Sequence, residues 1–198
     1  YPKEAVYMKN AKCGIDMGMR TFLSCYDGQR TFDICNSNVS YPIIIDFIEK
    51  RTRLKEYMLK GEMSKNRYKK LRNKLQKKMR DKIDDMHNKS ASFLTKRYEK
   101  INVGIVSVKS IMSNNGNMSK LNKQICAVLS LYRFRKKLEN YGEKRGCEVN
   151  AVSEYMTSKT CSSCGKINDV KDSKVYKCSG CKLEIDRDTN AAKNIWNK

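Results

Sequence analysis

The chain has 198 residues, the length of one domain or of one domain with a small satellite. Lys and Arg number 42 against 21 Asp and Glu, a formal net charge of +21, and hydrophobic residues make up 39%. This composition excludes a disordered chain, and the lack of any long apolar run excludes a membrane-spanning helix. The first residues, YPKEAVYMKN, lack the apolar centre of a secretory signal, so an intracellular place in cytoplasm or nucleus is expected. A field this positive favours a phosphate polymer as partner, because each neutralised phosphate releases condensed counterions; the plainer alternative is a solvated basic surface.

In chain order, residues 12–35 alternate apolar and polar side chains around Asp27-Gly28, a hairpin turn signal. Two or three strands are predicted, the first being KCGIDM, with Asp16 near its end between Gly14 and Gly18. Residues 43–100 lack proline and contain one glycine, Gly61, so long helices broken near Gly61 are predicted. Tyr68, Leu71, Leu75 and Met79 form an apolar stripe there, and Lys65, Arg67, Lys69, Lys70, Arg72 and Lys74 belong to a basic face suited to a nucleic-acid backbone or simply to solvent. INVGIVSV at 101–108 reads as a buried strand, followed by a polar loop. One helix is predicted over 119–145 with Ser119 as its cap, a strand over 147–153, and a last helix over 186–197 with acids at its start. His87 reads as a helix-surface or packing residue, with a general base as the alternative, and Trp196, Tyr132 and Phe134 read as core residues, with base stacking as an alternative for the last two.

Nine cysteines would suit a secreted disulfide scaffold, but their spacing does not. Five are scattered singly, and four form two tight pairs, Cys161/Cys164 and Cys178/Cys181, with 13 residues between them. Two Cys-x-x-Cys knuckles make a closed four-sulfur site for a structural Zn²⁺, with free thiols or a redox pair as the alternatives. Gly165 and Gly180 stand where the knuckle turns need them. Carboxylates are scarce in so basic a chain, yet Asp16 ends one apolar strand, Glu154 follows another, and Asp186 and Asp188 open the last helix. Hard cations such as Mg²⁺ or Mn²⁺ take such oxygen ligands, and paired ions assist phosphodiester cleavage.

GIDMG at 14–18, TSKTCSSCG at 157–165, the CSGC pair and DRDTNAAKNI at 186–195 stand in one order. In that order they resemble the TnpB family of transposon-encoded, RNA-guided endonucleases, also known as OrfB-type transposases. The resemblance implies an α/β (mixed α+β) fold: an RNase H-like RuvC nuclease domain with long helices and an inserted four-Cys zinc ribbon. It divides the chain into a nuclease core at 1–156 with a helical insertion at about 43–100, a ribbon at 157–184 and a final segment at 185–198. It implies that Asp16 and Asp188 are the first and third metal-holding carboxylates, with Asp186 as a cap or supporting group. The family's middle Glu falls where this chain has Gly104. Members of the Fanzor branch instead carry a Glu just upstream of TSKTCS, the place of Glu154, so Glu154 is the expected replacement; a decayed site is the competing view. The implied partners are DNA and a guide RNA, and the implied cofactors are structural Zn²⁺ and catalytic Mg²⁺ or Mn²⁺. Only about a dozen residues precede GID, so the chain is expected to be the nuclease portion of a longer protein. A non-catalytic zinc-ribbon nucleic-acid-binding remnant or regulator is the alternative, and a strand-joining transposase a third reading.

Overall fold

The computed structural model describes residues 11–36, 40–105, 119–170 and 173–198. Five strands form a mixed sheet: β1 (Lys12–Met17), β2 (Leu23–Tyr26), β3 (Thr31–Ile34), β4 (Lys100–Ile105) and β5 (Glu148–Ser153). Their order is β3-β2-β1-β4-β5. The first three are antiparallel neighbours, while β1, β4 and β5 run parallel. The β2–β3 turn forms as Asp27-Gly28 predicts: Gly28 takes φ +95°, and Asp27 Oδ1 accepts from the Gln29 and Arg30 amides.

Alternation along the strands sorts the two faces. Cys13, Ile15, Met17, Leu23, Cys25, Ile101 and Val103 pack into the main core. This core is closed by α1 (Ser40–Leu59), α2 (Lys65–Thr95), α3 (Lys120–Leu129) and α4 (Leu131–Arg145). The opposite face carries Gly14 and Asp16 on β1, Asn102 and Gly104 on β4, and Val152 on β5. It is covered by the last helix, α5 (Arg187–Trp196). Gly14 has no Cβ because none would fit: it would stand 2.5 Å from both Ala192 O and Trp196 N.

The predicted break near Gly61 is present, with Gly61 at φ +79° and Ser64 capping α2 by accepting from Arg67 N. The α2 stripe runs from half-buried Tyr68, Leu71 and Leu75 to buried Met79, Ile83, His87 and Leu94. Ser119 caps α3 as predicted, accepting from Asn122 N.

The single helix predicted over 119–145 is two. Ser130 adopts the left-handed conformation (φ 50°, ψ 52°), and the break lets Leu129 and Leu131 both enter the core. Tyr132 is likewise not a core residue. The α4 core stripe is Leu131, Phe134, Leu138 and Gly142, which leaves Tyr132 57% exposed. The last three residues of the predicted strand 101–108, and most of the loop after it, lie outside the described residues.

The α3–α4 break leaves a carbonyl to satisfy, and His87 reaches it. His87 is fully buried, stacks on Phe22 with centroids 5.3 Å apart, and donates from Nε2 to Leu129 O at 3.0 Å. Its Nδ1 has no hydrogen-bond partner, so a second proton would be a buried, unsatisfied donor. Burial accordingly holds the His87 pKa down to about 4. The unfolded chain binds a proton near pH 6.5, so stability held above that pH is lost as pH falls from about 6.5 through 4. Comparing urea midpoints of the parent and His87→Phe should show the parent losing about 3 kcal/mol relative to the variant over that window.

Candidate metal centres

The ribbon is built from a bridge between Thr160 and Ile167 and a hairpin of β6 (Val175–Lys177) and β7 (Glu184–Asp186). Its small core is Cys161, Tyr176 and Cys178, flanked by Val170, Leu183 and Ile185. The Tyr176 hydroxyl donates to Lys159 O and accepts from Asn168, whose Oδ1 in turn accepts from the Ser179 amide and hydroxyl. The Sγ atoms of Cys161, Cys164, Cys178 and Cys181 lie within 4.8 Å of one another. The pairs Cys161–Cys181 and Cys164–Cys178 are 3.6 and 3.5 Å apart. Four sulfurs tetrahedrally placed at about 2.3 Å from Zn²⁺ stand about 3.8 Å apart, so these sulfurs fit that ion. The Cys181 and Gly180 amides hold the Cys178 thiol down to about 6, favouring the thiolate that a metal requires.

Gly165 serves its knuckle as predicted, at φ +77°, with its amide donating to Cys161 O. In the second knuckle the left-handed position belongs to Lys182 (φ 64°) rather than Gly180. Gly180 instead lies against Cys164 Sγ and Cys178 Sγ, each 3.6 Å from where its Cβ would be.

The carboxylates gather at the carboxyl ends of the parallel strands. Ile15 pairs with Val103, which places Asp16 next to Gly104, and Gly104 pairs with Val152. Glu154 follows β5 directly and shares the face of Val152. A Cβ on Gly104 would lie 2.7 Å from Glu154 Cγ and collide with Oε1, so the Glu154 side chain occupies the space above Gly104. That Oε1 is buried and has no hydrogen-bond partner.

α5 brings the third acid. Asp186 caps the helix by accepting from the Asp188 and Thr189 amides, so it acts as the cap foreseen for it, and Asp188 lies in the first turn. Burial, then the charges of Glu154 and Asp188, push the Asp16 carboxyl well above its usual range. Burial and Asp186 raise Asp188 against the pull of Arg187, whose Nε is 3.9 Å away. Burial lifts Glu154 to about 7 against the opposing charge of Lys198. Asp16, Glu154 and Asp188 are therefore brought together on the α5 side of the sheet, in a setting that favours neutralisation. Among the described residues they do not close to the 4.8 Å of the sulfur cluster.

Sequence reasoning passed over three asparagines, two of which join α5 to the ribbon. Asn190 is fully buried, accepts from the Ser162 amide and donates to Thr160 O at 2.8 Å. Asn194, one turn on, donates to Thr157 O and Thr160 O at 2.8 and 2.7 Å. Asn102 donates to Ile195 O from below. The signal for Asn190 and Asn194 was the fixed spacing of NAAKN, one face of a helix. Asp33 was passed over too: it pairs with Ser24, which pairs with Asp16, and Ser24 Oγ donates to its carboxylate. The basic residues Lys65, Arg67, Lys69, Lys70 and Lys74 are exposed on the first half of α2, whereas Arg72 is half-buried with its guanidinium over Tyr68.

Two family models match the chain. The OrfB-type family described as "Probable transposase" covers residues 2–115, and the Cas12f1-like TNB domain covers residues 132–195. A TnpB-like protein of Acanthamoeba polyphaga mimivirus is 40% identical over 199 residues, covering 98% of this chain and 38% of that protein. The cryo-EM structure of a Cas12f1–sgRNA–target DNA complex superposes with TM-score 0.63 at 20% identity, over all of this chain and 51% of that one. A CRISPR–Cas12f ternary complex gives TM-score 0.66 at 19% identity, over all of this chain and 40% of that one. The chain thus spans well under half the length of its mimivirus relative, and the two structures share its fold.

If the four sulfurs bind metal, the purified protein carries one Zn per chain by atomic absorption, and Cys178→Ser or chelation removes it. Hydrogen exchange should then lose protection across 157–185 while β1, β4 and β5 stay protected; equal protection with and without chelator would refute a structural metal. On this fold and these matches, the chain belongs to the OrfB-type probable-transposase family of TnpB-like proteins.

Proposed function

We propose that the chain is the catalytic portion of a metal-dependent DNA endonuclease, with Asp16, Glu154 and Asp188 as its metal-holding carboxylates and a guide RNA as its partner. The observation that carries this reading is the buried, unpartnered Glu154 Oε1 over Gly104, together with an Asp16 whose carboxyl is raised first by burial and then by its acidic neighbours. Clustered buried acids with no adequate counter-charge are costly unless a proton or a cation neutralises them. The donor set is all oxygen, which suits Mg²⁺ or Mn²⁺. A divalent pair bound there would supply an activated water and charge neutralisation at a phosphodiester.

The chain's own residues do the rest. β1, β5 and α5 each fix one acid on a rigid element, and the Asp186 cap sets the direction in which α5 starts. The ribbon cysteines hold the segment between Glu154 and Asp188, and their site is closed, so its role is structural. In this reading 1–156 is the nuclease core, 157–184 the ribbon and 185–198 the closing segment. The exposed basic residues of α2 would contact backbone phosphate, with base pairing by the guide supplying sequence recognition. The support for nucleic-acid partners is the +21 charge and the sgRNA and target DNA in the Cas12f1 complex of like fold.

The test is Mg²⁺-dependent cleavage of single-stranded DNA by purified protein, with and without co-expressed RNA. Loss of a residue outside the ligand shell costs a metal site about 10–100-fold, so Asp16→Asn, Asp188→Asn and Glu154→Gln should each reduce cleavage by more than about a hundredfold. Moving the acid back, Glu154→Ala with Gly104→Glu, should restore at least about tenfold over Glu154→Ala alone. Cleavage by Glu154→Gln at the parent rate would remove Glu154 from the site.

A further inference from the structure

We infer that Tyr155, the residue after Glu154, is a stacking platform for an unpaired nucleobase. The inference rests on the nuclease reading for its purpose, but its geometry stands independently. Tyr155 is 78% exposed, more than any other large apolar side chain among the described residues. Its ring and hydroxyl have no partner among those residues, whereas the next most exposed aromatic, Tyr132, lies under the Arg135 guanidinium. A side chain this exposed and this apolar contributes nothing to the fold.

The backbone that carries it is nevertheless fixed on all sides. The Tyr155 amide donates to Ser153 Oγ. The preceding Glu154 carbonyl accepts from both the amide and the hydroxyl of Thr157. Met156, next in the chain, takes the left-handed conformation at φ 63°, and its carbonyl accepts from the Thr160 amide. Thr157 is buried, and its carbonyl is held by Asn190 and Asn194 of α5. A ring on so constrained a turn is offered to solvent with little left to order on binding, and every nucleobase has a π-face to meet it. Its immediate neighbour in the chain is Glu154, so a base stacked on Tyr155 is held one residue along the chain from that acid. A paired base already stacks within its helix, and its face is not free.

The test uses short oligo(dT), the same oligonucleotide with abasic sites, and a duplex of equal length, read by fluorescence anisotropy without added divalent cation. Tyr155→Ala should weaken oligo(dT) binding about tenfold, as loss of one stacked base does, with Tyr155→Trp retaining it. The abasic strand, equal in charge, should bind parent and Tyr155→Ala alike, and so should the duplex. Unchanged oligo(dT) binding by Tyr155→Ala, an equal loss on the abasic strand, or no oligo(dT) binding by the parent would overturn the inference. Because binding is read apart from cleavage, a parent that stacks but never cuts refutes the nuclease reading alone. A parent that cuts but shows no Tyr155 dependence refutes the platform alone.

Discussion

The tightest approach of backbone to a glycine among the described residues is the passage of α5 across β1 at Gly14. Any side chain there would press on the backbone at Ala192 and Trp196. With that approach in place, Ala192 and Ile195 bury fully, Trp196 Nε1 donates to Lys12 O at 3.2 Å, and Trp196 packs edge-on against Tyr26. A helix pinned this tightly at its end has a fixed start as well, because α5 is a rigid rod of under three turns. The start carries Asp188, and Asp16 lies two residues beyond Gly14 on the same face of β1. The distance between two acids far apart in sequence is therefore set by a glycine.

The same helix governs the ribbon. Asn190 and Asn194 lie on one face and grip the Thr157 and Thr160 carbonyls where the chain enters the first knuckle. Asp186 ends β7 of the ribbon and caps α5 in one residue. The sulfur site thus braces both ends of the segment that joins Glu154 to Asp188. Four thiolates would lie together only around a cation, so an ion bound in the ribbon would be coupled to the placement of acids it never touches.

Much of this was legible in the sequence, for identifiable reasons. Alternation in KCGIDM marked the strand that carries Asp16, the Asp27-Gly28 pair marked a hairpin, and Cys-x-x-Cys spacing marked the ribbon, because each rests on local geometry. The break at Ser130 was not legible, since a serine in the left-handed region carries no mark of its own. It depends on Leu129 and Leu131 both reaching the core and on His87, 42 residues away, covering the freed carbonyl. Lys182 hid in the same way: glycine is the usual mark of a positive φ, and Gly180 drew attention two residues early. The roles of the NAAKN asparagines required knowing what lay opposite them.

In the proposed reading, the place of Glu154 over Gly104 accounts for an acid that changes strands without changing the site. β4 and β5 are parallel and in register from Lys100–Glu148 to Ile105–Ser153, so their carboxyl ends abut. Parallel ends converge on one crevice, and a carboxylate delivered from either strand reaches it. Two acids there would add repulsion to a cluster already driven toward protonation, and two side chains would not fit, since a Cβ on residue 104 meets the Glu154 carboxyl. The exchange therefore requires both halves: an acid after β5 and bare backbone on β4. In that reading the buried carboxylate over bare backbone is the acid's new position, whereas a decayed site calls only for the loss of the acid from β4.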